Sequence, residues 1–469
     1  MRPRSILFPL VVLLFSVKLF AQTGQLTQQQ QSWISKAERH EKDGWIYLHI
    51  EGSPEERGFQ HGYLLAKEIK ESLRVLRARW EYLSAMKWNY YVDQAGRILT
   101  PKVDAENLHE IDGIVDGLTA AGDTVTENEM VAYNGYMELI DYWWPRVADS
   151  LRISSPPPQQ QSCSSFIATG SMTADGNIVL GHNTMGGYEE PLCDVIIDIV
   201  PENGHRILMQ TFPGFIHSGT DFFITDAGLV GSETTIGSFS GFDAGGVPEF
   251  SRMRHATQYA NSIDEWSKMM EDGDNGGYAN AWLLGDIKTN EIGRLELGLK
   301  YVGFEKKKDG YFVGSNVVFN KKILRFETTE QETNIKLSSV ARNVRWHQLM
   351  KQYAGKIDAK LAEKFESDHF DTYLGKDQPD SRTLCGHSDL DARMNSSDTP
   401  FSPWGTLDGK VVDAKLAKKM SFIARWGSSC GTAFSAEKFI SEHPQYDWME
   451  GLMKERPSEP WTEFAAGEK

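Results

Sequence analysis

SSPPPQQQSCSSFIATGSMTADGNIVLGHNTM, residues Ser154 to Met185, is where the chain changes character. Three prolines followed by three glutamines cannot continue a helix, because proline lacks the N–H and its ring clashes with the preceding turn; nor do they offer much to bury. Residues 154–162 therefore read as an exposed linker. Directly after it the pattern becomes that of strands: Ser165 to Thr169, a hairpin turn at Asp175 and Gly176, then Asn177 to His182. Cys163 stands at the junction of linker and strand.

Upstream of the linker, residues 54 to 146 read as helical. Leu65, Ile69, Leu73, Leu76, Trp80 and Leu83 recur at spacings of three and four and so share one apolar face. Thr126 with Glu129 makes a capping box that opens a helix carrying Met130, Tyr133, Met137 and Ile140. Residues 22–153 are accordingly expected to form a helical N-terminal region. Downstream, residues 163–469 show strand-like runs at Cys193 to Val200, His205 to Gln210, Asp221 to Thr225 and Gly228 to Thr235. A second capping box, Ser262 with Glu265, starts a helix ending near Gly273, and strands follow at Ala281 to Ile287, Arg294 to Leu299 and Gly310 to Val313. Antiparallel hairpins alternating with helices predict an α+β fold of layered sheets with helices packed outside. The last hundred residues read as less regular, rich in turns and aromatics.

The N-terminus carries Arg2 and Arg4, then a mostly apolar stretch from Ile6 to Phe20, then Ala21. Residues 1–21 read as a cleavable signal peptide, which predicts a secreted or periplasmic protein. The alternative is an anchor, but the run is shorter than the roughly 20 apolar residues a span needs and contains Pro9 and Lys18. No stable membrane insertion of the mature chain is expected. With 49 Lys plus Arg against 65 Asp plus Glu, the formal charge is -16, which would repel phosphate backbones and argues against nucleic acid as a partner. A small neutral or amphiphilic substrate is easier to accommodate.

Four cysteines, Cys163, Cys193, Cys385 and Cys430, are too few for a disulfide-built scaffold. If Cys163 stays a free thiol, one pair at most can form, and Cys385 with Cys430 is the first choice. CGHSDLD, Cys385 to Asp391, gathers metal-ligand residue types, yet its spacing matches no structural zinc pattern and its Ser/Asp-rich surroundings suggest a loop. No metal and no cofactor are expected, and no phosphate-binding glycine loop is present. His61 reads as a residue of a helix start packed on the core, against a second catalytic site, and Arg57 beside Gly58 as a solvated helix charge, the alternative being a contact with the site. WGSSCG, around Cys430, fits a tight turn.

Cys163 admits a specific chemistry. Its thiol can attack the carbonyl of Ser162, move the acyl group from nitrogen to sulfur, and let water release the upstream piece. The product is a cysteine with a free α-amine, whose ordinary pKa of about 7.7–8.0 suits it to act as general base for its own thiol. The non-catalytic alternative makes Cys163 one more small buried residue.

CSSFIATGSMTADGNIVLGHNTM, Cys163 to Met185, resembles the start of the mature chain in the phospholipase B-like family, and is similar to the autoproteolytic acyl-coenzyme A:isopenicillin N acyltransferase-like proteins. FPGFIHSGTDFFITDAGLVGSETTIG, Phe212 to Gly237, resembles a phospholipase B-like stretch, and YANAW, Tyr278 to Trp282, a further element of that family. EGSPEERGFQHGYLLAKEI, Glu51 to Ile69, resembles the opening of the acyltransferase-like proregion, and DGKVVDA and WGSSCGTAF resemble bacterial members. The resemblance spans about residues 45 to 465. It implies the four-layer αββα fold of N-terminal-nucleophile (Ntn) hydrolases, autocatalytic cleavage, two cleaved chains that stay associated, and hydrolysis or transfer of acyl groups at linear amide or ester bonds.

Carried over by motif, the resemblance implies that Cys163 is the nucleophile and Ser162–Cys163 the cleavage site. His182 takes the place of a histidine that orients or polarises the nucleophile or the substrate, the alternative being a strand-end histidine satisfied by backbone. Asn280 takes the place of an oxyanion donor, against a turn asparagine. Glu233, Thr234 and Thr235 fall in a segment expected to line the substrate site, with Glu233 a structural carboxylate in the other reading. Asn183 and Met185 depart from the Thr and Trp usual in phospholipase B-like proteins, which bears on phospholipid specificity. Two rival functions remain: a papain-like thiol protease with an unbroken chain, and a non-enzymatic envelope binding protein.

Overall fold

The computed structural model describes residues 26–153, 163–190, 194–393 and 399–468. The expected signal peptide, the linker with Ser162, and Cys193 lie outside them. The strands, in chain order, are Glu38–Lys42 (β1), Trp45–Gly52 (β2), Ser164–Thr169 (β3), Val179–Gly187 (β4), Val195–Pro201 (β5), Ile207–Thr211 (β6), Phe222–Thr225 (β7), Leu229–Thr235 (β8) and Asn280–Asp286 (β9). They continue as Glu291–Leu297 (β10), Val302–Lys307 (β11), Gly310–Gly314 (β12), Phe370–Asp371 (β13), Lys376–Asp377 (β14), Trp404–Asp413 (β15), Ser421–Trp426 (β16) and Thr462–Ala465 (β17).

Two sheets result. One is nine-stranded in the order β1-β2-β5-β6-β7-β8-β9-β10-β11, the other six-stranded in the order β12-β3-β4-β15-β16-β17, and β13 with β14 forms a small separate pair. Side chains alternate between the two faces of a strand, and here both faces are apolar. In β2, Trp45 and Tyr47 enter a core shared by the two sheets with Ile167, Leu180, Phe222, Leu283 and Phe422. Its other face, Ile46, Leu48 and Ile50, joins the core formed with the N-terminal helices. In β3, Ile167 faces the other sheet, whereas Phe166 and Ala168 pack outward with Trp346, Leu349 and Phe365 of helices Ser338–Gln352 and Ala359–Glu366. Helix, sheet, sheet and helix layers follow in order: an α+β, four-layer αββα sandwich. No helix among the described residues is long and apolar enough to cross a membrane.

The expected helices are present, although the one opened at Thr126 ends at Asn134 and Ile140 falls in a π-helical turn, Glu138–Trp143. Leu65, Ile69, Leu73, Leu76 and Trp80 are buried, Thr126 caps helix Glu127–Asn134 by accepting from the Glu129 N–H, and Ser262 caps Ile263–Glu271 in the same way. At Asp175–Gly176 the chain turns as expected, with Gly176 at φ +77° and the Asp175 carboxylate accepting from the Asn177 N–H at 3.0 Å.

Three expectations need correction. The N-terminal region is not wholly helical, since it contributes β1 and β2, and β2 pairs in parallel with β5. The last hundred residues are not irregular, because they supply β15, β16 and β17. The sequence of β15, WGTLDGKVVD, hides its strand character: Asp408 and Lys410 are buried and ion-paired at 2.6 Å, so two charged side chains sit where apolar ones are expected. Third, Arg57 is a fully buried charge, donating to Glu110 at 2.7 Å and to Glu106 at 3.3 Å, with Arg254 on Glu110 at 3.0 Å.

Arg57 is buried because its helix, Pro54–Leu64, lies against Ala105–Ala120 with backbones touching. A Cβ at Gly58 would meet the Glu110 carbonyl oxygen at 2.0 Å, and one at Gly62 the Ile114 carbonyl at 2.1 Å. Only glycine allows that approach. The tight pair places His61 under residues 212–219, where its Nε2 accepts from the Gly214 N–H at 2.8 Å; burial lowers its pKa to about 4 and keeps it neutral. His61 is thus packed on the core as expected, but in the last turn of its helix and not at a helix start.

Asp198 on β5 ties the sheet to the C-terminus. It accepts from Arg206 at 2.6 and 2.8 Å, His49 at 2.7 Å, Tyr47 at 3.0 Å and the Gly467 N–H at 2.8 Å. Burial opposes its charge, but Arg206 and His49 outweigh that and hold it at about 2, against an ordinary 3.8. A depressed carboxylate stabilises the fold above its unfolded value, and the contribution fades as pH falls through the folded value. Asp198→Asn is expected to lose about 2–3 kcal/mol at pH 7 and roughly half that at pH 3, read from urea unfolding at both pH values.

Candidate active site

Cys163 immediately precedes β3 and is buried, 2 % exposed. Two neighbouring strands fix it. Ser165 pairs with His182 of β4 on one side and Gly314 of β12 on the other. The anchor is Arg342, from helix Ser338–Gln352: its guanidinium donates to the Cys163 carbonyl at 2.5 Å, the Ser164 hydroxyl at 2.9 Å, the Asn316 side-chain oxygen at 2.7 Å and the Ser338 hydroxyl at 3.0 Å. Asn316, at φ +68°, returns its amide N–H to the Thr235 carbonyl at 2.8 Å. A planar fork of donors thus stitches the nucleophile candidate to β8 across the two sheets.

Beside the thiol lies a pair of acids. The Cys163 sulfur and carboxylate oxygens of Asp221 and Glu233 lie within 4.8 Å of one another. The Tyr278 hydroxyl faces both carboxyls, 2.7 Å from Asp221 and 3.1 Å from Glu233, and accepts from the Thr235 hydroxyl at 3.4 Å. Burial raises both acids, Glu233 far more, because the neighbouring Asp221 adds its charge to the desolvation. Two buried carboxyls this close do not both ionise. Glu233 keeps the proton and Asp221 carries the charge. Lys410 weighs in from β15, bonded to Asp408 at 2.6 Å, to Thr184 and Gln210, and to the Thr220 carbonyl at 3.4 Å.

Burial pushes the Cys163 thiol up to about 12, and the Asp221 charge adds to it; the Met185 backbone N–H, Lys410 and Arg342 act in the opposite sense. In the uncut chain the sulfur is therefore a thiol at neutral pH.

The remaining sequence-derived residues fall as follows. His182 is fully buried, its Nε2 donates to the Glu233 carbonyl at 2.9 Å and its Nδ1 makes no hydrogen bond. Burial and Lys410 hold its pKa far below the ordinary value, so it is neutral. This is backbone satisfaction: His182 supports the strand that carries Glu233. Asn280 opens β9 opposite Thr235, and both ends of its buried amide lack a hydrogen-bond partner. An orphaned buried amide is costly, and it is what an oxyanion donor looks like before substrate. Thr235 joins the Tyr278 network, while the buried Thr234 hydroxyl faces Gly314 and makes no hydrogen bond.

Sequence reasoning missed Asp221, Tyr278, Asn316 and Arg342. Asp221 and Tyr278 lie inside or beside motifs already singled out, so their residue types were a usable signal. Arg342 had none, being one of several basic residues on a C-terminal helix.

With this geometry established, comparison with known proteins places the chain. The phospholipase B family model matches residues 38–459, and the chain belongs to the phospholipase B family. Among its relatives, an uncharacterized protein of Archaeoglobus fulgidus is 24 % identical over 266 residues, covering 54 % of this chain and 43 % of that protein. A phospholipase B of Crotalus adamanteus is 27 % identical over 247 residues, covering 47 % and 42 %. Phospholipase B-like 1 of Homo sapiens is 27 % identical over 246 residues, with the same coverage of 47 % and 42 %. These alignments span less than half the length of each relative. Among solved structures, a conjugated bile acid hydrolase variant from Clostridium perfringens shares 11 % identity at a TM-score of 0.32, covering 56 % of this chain and 89 % of that one. Penicillin V acylase from Agrobacterium tumefaciens shares 10 % at 0.30, covering 56 % and 83 %.

Arg342→Met removes four donor contacts and leaves the Cys163 carbonyl and the Asn316 side-chain oxygen without their buried partner. A loss of about 3 kcal/mol in urea unfolding is expected, with partial recovery in Arg342→Lys, which restores the charge but not the fork.

Proposed function

We propose that this chain is a self-processing cysteine Ntn hydrolase that cuts itself between Ser162 and Cys163 and then cleaves linear amide or ester bonds of small acylated substrates. The observation that carries the reading is the placement of Cys163 at the head of β3, carbonyl gripped by Arg342, sulfur against the Asp221–Glu233 pair. Membership of the phospholipase B family supports the acyl chemistry.

On this reading the Cys163 sulfur attacks the carbonyl of Ser162, the peptide becomes a thioester, and water releases the upstream piece. The new α-amine has the ionised Asp221 nearby as counter-charge. In turnover the amine takes the thiol proton as sulfur attacks the substrate carbonyl, and Asn280 donates to the oxyanion. Collapse passes that proton to the departing amine or alcohol and leaves an acyl-thioester, which water hydrolyses to the acid with return of the proton to sulfur. Glu233, Thr234 and Thr235 form the wall of β8 beside this centre, and His182 holds that wall by its backbone. The two pieces stay joined, since β2 is hydrogen-bonded to β5 and helix Glu127–Asn134 holds residues 213–216. The setting is secreted or periplasmic, and no cofactor takes part.

Intact-mass measurement of purified protein tests the first step. Two chains meeting at Cys163 are expected, with Cys163→Ala staying whole; a single unbroken wild-type chain that still turns over substrate would favour a papain-like mechanism. A panel of acyl esters and acyl amides tests the second. Asn280→Ala is expected to be processed and folded yet to lose about 10²–10³ in kcat with KM little changed. Flat activity across the panel, with ligand binding intact in Cys163→Ala, would point to a binding protein.

A further inference from the structure

A second cluster of reactive side chains lies outside the Cys163 centre. His369 comes just before β13, Cys385 and His387 lie on the loop after β14, and Cys430 sits in the turn after β16, shaped by Gly427 at φ +85° and Gly431 at φ +93°. One ligand atom from each lies within 4.8 Å of all the others. Sequence spacing hid this set: Cys385 and His387 are too close together to read as a zinc pattern, and their partners come from distant segments. The disulfide expected between Cys385 and Cys430 is not formed, and both are free thiols.

We propose that His369, Cys385, His387 and Cys430 form a tetrahedral Cys₂His₂ site for a zinc-type divalent cation. Bond lengths of about 2.3 Å to sulfur and 2.0–2.1 Å to nitrogen at tetrahedral angles put sulfur and nitrogen ligands about 3.6 Å apart. The His387 Nε2 lies 3.5 Å from the Cys385 sulfur and 3.5 Å from the Cys430 sulfur. The His369 Nε2 is buried and has no hydrogen-bond partner, and its ring meets that of His387 edge-on at 5.1 Å.

The surroundings suit a metal site as well. The His387 Nδ1 is 3.9 Å from Asp389, which is itself fixed by the Tyr188 hydroxyl at 2.9 Å; a carboxylate behind a ligating histidine sets its tautomer and orientation. The Ser428 hydroxyl lies 3.0 Å from the Cys430 sulfur, 3.3 Å from that of Cys385 and 3.4 Å from the His387 Nε2. At Cys430 the sulfur is 3.1 Å from the Thr432 hydroxyl and accepts from the Thr432 N–H at 3.4 Å. These groups stabilise thiolate charge. The role is structural: four protein ligands close the site, and the ion would pin the loop carrying Cys385 and His387 to the turn after β16. From that turn Ser429 donates to Asn183 on β4, one residue beyond His182.

The test uses the full-length protein, isolated without chelator. About one zinc per chain is expected by elemental analysis, retained in Cys163→Ala and reduced at least tenfold in Cys385→Ser and in His387→Ala. To separate loss of metal from loss of fold, wild-type protein is also stripped with chelator and reloaded with Co²⁺. Sulfur-to-cobalt charge-transfer absorption is expected, together with slow alkylation of Cys385 and Cys430 in the loaded form and fast alkylation in the stripped one. A Cys385–Cys430 disulfide in the isolated protein, no uptake of Zn²⁺ or Co²⁺ by reduced protein, or full metal retention in Cys385→Ser would each overturn the proposal.

Discussion

Charge buried between two sheets has to be balanced within hydrogen-bond reach, and that constraint organises this molecule. Lys410, Asp408, Asp221, Glu233 and Arg342 are each almost wholly removed from water. Left unpaired, any one of them would cost several kcal/mol. The structure meets the constraint by gathering them. Lys410 takes Asp408, the two acids share one proton with Tyr278 beside them, and Arg342 spends its donors on a carbonyl, an amide oxygen and two hydroxyls. Cys163 sits where these groups converge, so the same balance that permits the sheets to close also sets the ionisation of the thiol.

The N-terminal half takes part in that balance from a distance. Residues 212–219 lead into Asp221, and the helical layer holds them from above: Tyr133 on the Pro213 carbonyl, Asn134 on Gly214 and Ile216, His61 on the Gly214 N–H. Gly58 and Gly62 let the His61 helix sink to backbone contact with its neighbour, and without that depth the imidazole would not reach Gly214. Close helix packing, several elements away, thereby places a carboxylate beside sulfur. On the proposed reading the cut separates this half from Cys163, and its grip on residues 212–219 would then replace the covalent link.

Much of this was legible in the sequence, for reasons that particular residues make plain. Apolar periodicity exposed the helix through Leu65, Ile69 and Leu73, and the switch of period after residue 162 marked the first strand of the second sheet. Local patterns failed where burial was polar. β15 reads as a loop because Asp408 and Lys410 neutralise each other only in three dimensions, and Arg57 reads as solvated because Glu110 lies on another helix. At the candidate site, Cys163 drew attention because the chemistry proposed for it depends on sequence position. Asp221 was passed over although it lies within the Phe212 to Gly237 motif, because its partner acid Glu233 comes from β8, and Arg342 because its targets are one carbonyl and three neutral side-chain oxygens, mostly from distant segments. His182 shows the converse, a residue with a motif around it whose hydrogen bond goes to a strand carbonyl.

The thiol's own environment bears on how such a site could be kept harmless until needed. A sulfur at about 12 beside an ionised carboxylate is held as the thiol in the intact chain, where on the proposed reading it need react only once, with the adjoining Ser162 carbonyl. On the proposed reading, freeing the α-amine changes two things at once. It supplies a base within the same residue, and once that amine has taken the thiol proton its positive charge offsets part of the Asp221 charge that holds the thiol up. Cleavage would then create the base and relieve the electrostatic penalty in a single event, without moving a strand. Arg342 is suited to this because it grips the Cys163 carbonyl, which lies on the retained side of the cut bond. The residue would therefore stay in register while its amide nitrogen becomes an amine.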